Sequence, residues 1–235
     1  MCNQTMIEFE SLINDVKVFS NEIEARLRKS NEIFKLYKGI RIMYSNMIFN
    51  PIVMFIGINP GDWSGGFCNS FTQEVCLEYV NEKNNRNNYT LARETREVFK
   101  NINLPDLLKT SAIKTNYFFI STSCLNHLYK ITDFLGRGDN DLGELFFKKS
   151  SEWSKKLIEI IKPKIIICEG KEAFKNVTQL YKGNNSIIGW DKNYKNCGYK
   201  KTEDNTITIV GYSRRFSNIR DKKELSNLLK LLLQF

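Results

Sequence analysis

The chain has 235 residues, 42% of them hydrophobic and 26% charged, which suits one α/β domain with an ample core. No apolar stretch approaches a membrane span, and the start Met1-Cys2-Asn3-Gln4 lacks the basic-then-apolar pattern of a signal peptide, so a soluble, cytoplasmic protein is expected. A net charge of +9 favours polyanionic partners without specifying a fold.

Residues 6–37 read as helix, with apolar residues from Ile7 to Tyr37 at roughly helical spacing and a division at Ser30 or Asn31. PIVMFIG, 51–57, is a short continuous apolar run between turn residues, the mark of a central parallel strand covered on both faces. After the glycine-rich turn a helix is predicted over 70–80, then the polar loop 81–88, then a helix over 90–101 with Thr90 as its N-cap. A second strand is predicted over 114–122 and a loop around 136–141. A helix follows over 143–161. KPKIIICEGKEAF, 162–174, reads as a third strand feeding a helix. TITIVGYS, 206–213, reads as a fourth strand, and a closing helix over 221–235 is capped by Asp221. Residues 193–201 read as a short strand or a loop. Strands alternating with helices imply a three-layer α/β/α domain with a central, mainly parallel four-stranded sheet. The expected organisation is a single domain, 1–235, with an N-terminal helical extension over 1–50 and the α/β core over 51–235.

Six cysteines form no C-x-x-C pair and there is one histidine, His127, so no metal site is expected. Reduced thiols are preferred over an iron–sulfur cluster. No phosphate-binding glycine loop is present, so no nucleotide cofactor is expected. In open parallel sheets ligands bind at the C-terminal ends of the strands. Those ends carry Gly57-Ile58-Asn59-Pro60-Gly61-Asp62, Thr115-Asn116, Glu169-Gly170-Lys171 and Gly211-Tyr212-Ser213-Arg214-Arg215.

A strand ending in Gly-Ile-Asn-Pro-Gly, 57–61, resembles the first motif of the uracil-DNA glycosylase superfamily, in the wording of its thymine/mismatch-specific branch. Thr115-Asn116, PKIIICEGKEAF and VGYSRRFS resemble later pieces in the same order. The resemblance implies a glycosylase fold, DNA as partner and a monomer. One departure stands out: where the second motif opens with His or Asn followed by Pro-Ser, this chain has Gly211, Tyr212 and Ser213. The side chain that would assist a departing uracil is missing.

Hydrolysing a base–deoxyribose bond requires an extruded base, stabilisation of the leaving charge and a held water. Asn59 can accept a hydrogen bond from that water but takes up no proton at pH 7. It orients the water, in the role that the resemblance implies; an Asx turn before Pro60 is its alternative. Asp62 is a carboxylate that can serve as base or as a turn cap. Gly57 and Ile58 lie against the base, and Phe67 or Phe71 can stack on it, Phe67 being preferred by position. Asn116 can read a pyrimidine edge or cap its strand. Ser213 contacts phosphate by resemblance. Arg214, Arg215 and Phe216 stand where a loop would enter DNA, and Lys171 at a helix start can meet a phosphate. Gly211 suggests a pocket wider than uracil needs, with Tyr212 suited to stacking. The expected function is therefore a monofunctional DNA glycosylase that excises a damaged or modified pyrimidine, extending to a glucosylated hydroxymethylcytosine of phage DNA in antiviral defence. A catalytically impaired DNA-binding module, a uracil/thymine mismatch repair enzyme and a nucleoside hydrolase are the alternatives.

Overall fold

A computed structural model describes residues 2–61, 67–72, 77–80, 89–137, 141–181, 197–204, 206–212 and 222–233. The chain forms two compact units: Met1–Met43 with Ile58–Thr72 and Asn116–Ile161, and Tyr44–Gly57 with Gln73–Thr115 and Lys162–Phe235. Each is built from several separated segments.

The first unit is mainly helical. Helix α1 (Cys2–Leu27) buries Phe9, Leu12, Val16, Phe19, Ile23 and Leu27 along one stripe, the three-to-four-residue spacing that its sequence announces. It is followed by the single turn α2 (Asn31–Phe34), so the expected division at Ser30 is present. The N-terminal helix packs with α5 (Leu125–Leu135) and α6 (Leu142–Ile161). The Phe19 ring meets Trp153 edge-on at 5.5 Å, and the Trp153 indole donates to Asp15 at 2.5 Å. Helix α5 was not expected, although Leu128, Ile131 and Leu135 carry its spacing and are buried. His127 sits in its first turn rather than in a loop.

The second unit is a five-stranded sheet in the order β2-β1-β3-β5-β4, one strand more than expected. Strand β1 (Val53–Gly57) pairs parallel to β3 (Ile165–Cys168), and β3 parallel to β5 (Thr208–Tyr212). The fifth strand, β4 (Cys197–Lys201), runs antiparallel to β5 and is partly exposed, as an edge strand can be. Strands β1 and β3 are buried at every position, which is why their sequences are continuous apolar runs. Val53, Phe55, Ile165, Ile167, Val210 and Tyr212 share one core with Val98 and Phe99 of α3 (Thr90–Asn101) and Leu225, Leu228 and Leu229 of α8 (Lys222–Leu232). On the alternate face α7 (Lys171–Gln179) packs on β3 and β5. A mostly parallel α/β sheet flanked by helices is thus present. No helix among the described residues is long and apolar enough to cross a membrane.

Three expected boundaries are corrected. Strand β2 is Ala112–Asn116 and stops six residues before the predicted end, because 117–122 pairs elsewhere. Phe118 N–H donates to Ile58 and Phe119 accepts from Arg41, while the Phe118 and Phe119 rings pack on Phe146 and Trp153. The described part of 70–80 is not helical: Ser70 bridges to Arg41, and 78–80 is a turn closed by Val80 N–H on Leu77. Leu77 and Tyr79 are both buried, an alternation that a helix does not produce. Helix α3 covers the expected 90–101, but Tyr89 is its N-cap and Thr90 its first residue. A further turn, α4 (Leu107–Thr110), precedes β2.

Candidate functional site

In the helical unit the segment 58–61 lies beside the segment that leaves β2. Phe118 N–H donates to Ile58 O at 2.9 Å, Thr122 N–H to Pro60 O at 3.1 Å, and Ser121 Oγ to Pro60 O at 3.4 Å. Within this frame Asn59 is half-buried. Its Nδ2 donates to Thr122 Oγ1 at 2.9 Å and more weakly to Pro60 O at 3.3 Å. The Thr122 hydroxyl spends its proton on Cys124 O, 2.8 Å away, so it can only accept from Asn59. That assigns the amide: the NH2 group is pinned, and Oδ1, without a hydrogen bond to any described residue, is the end left to accept one. Asn59 has the arrangement that a water-orienting residue needs. Thr122 is the residue that holds it, and the sequence analysis did not single it out.

Phe67 is 45% exposed. It forms an aromatic group with Phe34 and Tyr37, at centroid distances of 6.0 and 5.7 Å. Residues 68–70 pair with 38–42, which pair with 119–121, which flank 58–61. Three such pairings, each spanning about 4.8 Å, separate the Phe67 backbone from that of Asn59. Phe71 lies under Lys17, whose Nζ is 5.2 Å from the ring centroid. Asn116 is buried at the last position of β2 and is engaged in the fold.

In the sheet unit Gly57, Cys168 and Tyr212 end β1, β3 and β5. Gly211 faces α7. A Cβ there would lie 2.2 Å from Cγ of Phe174 and 2.3 Å from its Cδ2, so a phenylalanine ring already fills the volume that a side chain would take. The glycine answers this close approach, and it does not widen a pocket. Tyr212, on the opposite face, is 2% exposed within the α3–α8 core and presents no stacking surface. Gly211→Ala is expected to destabilise the unit by about 1–3 kcal/mol through overpacking. Thermal unfolding measures this, and adding Phe174→Leu should restore part of the loss. Lys171 is exposed at the first position of α7, where a phosphate contact is possible, and the turn before it uses Gly170 at φ +133°.

The same unit holds a buried polar cluster. Lys114, on β2, directs Nζ to Glu78 Oε1 at 2.6 Å, Tyr79 OH at 2.5 Å and Glu169 Oε2 at 2.9 Å. Tyr79 OH in turn bonds Glu169 Oε1, and Tyr89 bonds Glu78. The Lys114 and Glu169 side chains are 7% and 5% exposed. Burial opposes the charge on Lys114, but the two carboxylates outweigh it and raise its pKa. Burial likewise opposes ionisation of Glu78, yet Lys114 holds that carboxyl below its ordinary value. For Glu169 burial prevails, aided by repulsion from Glu78, and its pKa is raised. Burial also raises the Tyr79, Tyr89 and Cys168 pKa values. Nothing in the local sequence marks this cluster, because its members come from four separated segments.

Asp62, Ser213, Arg214, Arg215 and Phe216 lie outside the described residues. Of the cysteines described, Cys68 and Cys124 are exposed and Cys168 and Cys197 buried. No group of three or more metal-ligating side chains occurs among the described residues. No protein-family model matches the chain, and no curated protein matches it.

Proposed function

We propose that this protein is a monofunctional DNA glycosylase of the uracil-DNA glycosylase type, with a three-layer α/β/α fold, acting as a cytoplasmic monomer on an extruded pyrimidine and leaving an abasic site. The observation that carries this reading is Asn59: an amide whose donor is pinned by Thr122 while its acceptor stays available, in a strand-end motif that resembles the family's first. Water held by Asn59 Oδ1 would add to C1′ as the bond to the base breaks and the sugar gains cationic character. The +9 net charge suits DNA. Lys114 is buried and ion-paired, so it offers no free amine for a Schiff base. This supports hydrolysis without lyase activity.

Phe174 fills the space that a wide pocket would use at Gly211, so the reading rests on a pyrimidine as a class. A glucosylated hydroxymethylcytosine of phage DNA, with a role in antiviral defence, is one arm of the test, and repair of uracil or mismatched thymine is another. The second reading is a DNA-binding module without catalysis, favoured by Gly211 standing where the resembled motif has His or Asn. Uracil-containing, G·T-mismatched and glucosylated duplexes, incubated with the protein and treated with alkali, separate these. Strand breaks in one of them, diminishing steeply as salt rises, support the enzyme. DNA binding with no breaks selects the binding module, and release from free nucleosides without salt dependence selects a nucleoside hydrolase.

A further inference from the structure

We propose that Glu169 is a catalytic acid of this enzyme, donating a proton to the departing pyrimidine in place of the missing second-motif side chain. The inference rests on the glycosylase reading and adds a residue to it. Three observations converge on Glu169.

The first is its position. In the order β2-β1-β3-β5-β4 the chain runs outward to either side of β1 and β3, so the topological switch point lies between these strands. Ligands of open parallel sheets bind in the crevice at the C-terminal ends of such strands. Glu169 is the first residue after β3, and its N–H bonds Ile56 O at 2.9 Å. Since Ile56 pairs with Cys168 and Cys168 with Gly211, Glu169 stands level with Gly57 on one side and Tyr212 on the other. It therefore sits at the switch point, beside the position that lost its motif residue.

The second is the charge balance. The buried cluster contains one ammonium, that of Lys114, and two carboxyls, those of Glu78 and Glu169. With both carboxyls ionised it would bury a net charge of −1. Withdrawing a charge from water without a partner is costly, and a buried carboxyl relieves that cost by binding a proton. Glu78 is the better stabilised anion, with Lys114 and Tyr89 both on it. The proton therefore resides on the Glu169 side, where Tyr79 OH meets Oε1. The raised Glu169 pKa, first from burial and then from Glu78, agrees with this assignment.

The third is the surroundings. The groups that face Glu169 are Lys114 from β2, Glu78 and Tyr79 from the 77–80 turn, and Cys168 from β3, a thiol that burial keeps protonated. Lys171, two residues on, is exposed to solvent. None of these supplies a second cation to replace the proton.

The step balances simply. The C1′–N1 bond breaks and its electron pair stays with the base. The Glu169 proton passes to the base, which leaves neutral. Water adds to C1′ and loses its proton to solvent, and Glu169 is reprotonated from solvent.

Glu169→Gln keeps the shape and removes the acid. Under single-turnover conditions it is expected to slow base release by about 10²–10⁴-fold with DNA affinity unchanged. Wild-type rate should fall as pH rises through the Glu169 pKa, because the protonated form is the active one, and this limb should be absent in the variant. Glu169→Asp should restore part of the rate. In wild-type protein, ¹³C NMR of labelled glutamate should show one carboxyl titrating above the ordinary range. Full activity in Glu169→Gln, a pH profile shared with wild type, or ordinary titration of every glutamate would overturn the inference and leave the glycosylase reading standing. Absence of base release by wild type from every duplex would overturn both.

Discussion

Lys114→Met is expected to lower the stability of the protein by about 3–5 kcal/mol at neutral pH, because it leaves two buried carboxyls without their cation. For a chain of this size that corresponds to a fall in Tm of roughly 6–20 °C. Lys114 Nζ has three protons and three acceptors within 2.9 Å, one on each of Glu78, Tyr79 and Glu169. Methionine satisfies none of them. The pH dependence carries a sign. Without the ammonium both carboxyls bind protons more tightly in the folded protein than in the unfolded chain, so the variant should lose stability as pH rises and recover part of it in acid. The wild-type contributions run otherwise. The raised Lys114 pKa gives stability that is complete below its ordinary 10.5 and is lost as pH climbs through the folded value. The lowered Glu78 pKa gives stability that is complete above its ordinary 4.5 and is lost as pH drops through the folded value. Glu169, raised, works in the opposite direction to Glu78. Chemical denaturation of wild type and variant across this range measures all three effects.

Asn59→Ala is expected to reduce single-turnover base release by about 10²-fold or more, the scale of losing a positioned reactant, with little change in DNA affinity. The variant removes the acceptor for the attacking water and also the bond to Thr122 Oγ1. Thr122→Val separates the two effects. It leaves the Asn59 carbonyl in place but frees the amide to rotate, so its loss should be smaller than that of Asn59→Ala and should fall on kcat rather than KM. An equal loss in both would mean that Asn59 matters only as a loop tether. A pH profile parallel to wild type is expected for both variants, since an amide does not titrate.

Much of the sheet was legible because burial on both faces leaves an uninterrupted apolar run. PIVMFIG and IIIC could be read as central strands for that reason, and both strands are fully buried. The end of β2 was not legible in the same way. TNYFFIST continues apolar past Asn116, but Tyr117, Phe118 and Phe119 are buried against α6 rather than in the sheet; Tyr117 OH is 2.7 Å from Ser151. Apolarity records burial and does not record which elements do the burying. Position 211 shows the same limit: a glycine on a strand announces that something comes close, and only the fold shows that the neighbour is Phe174. Asn59 was legible because its chemistry resides in five consecutive residues. Thr122, 63 positions away, supplies the bond that gives Asn59 its orientation. The Lys114 cluster was hidden for the same reason, as its partner Glu78 is 36 positions distant.

The most direct measurement is mass spectrometry of free bases released from the three duplexes by wild-type protein and by Asn59→Ala. The account predicts a single free pyrimidine from one duplex, liberated by wild type with an abasic site left behind and strongly diminished in the variant. Release of no base from any duplex, or release that is as fast without Asn59, would contradict it.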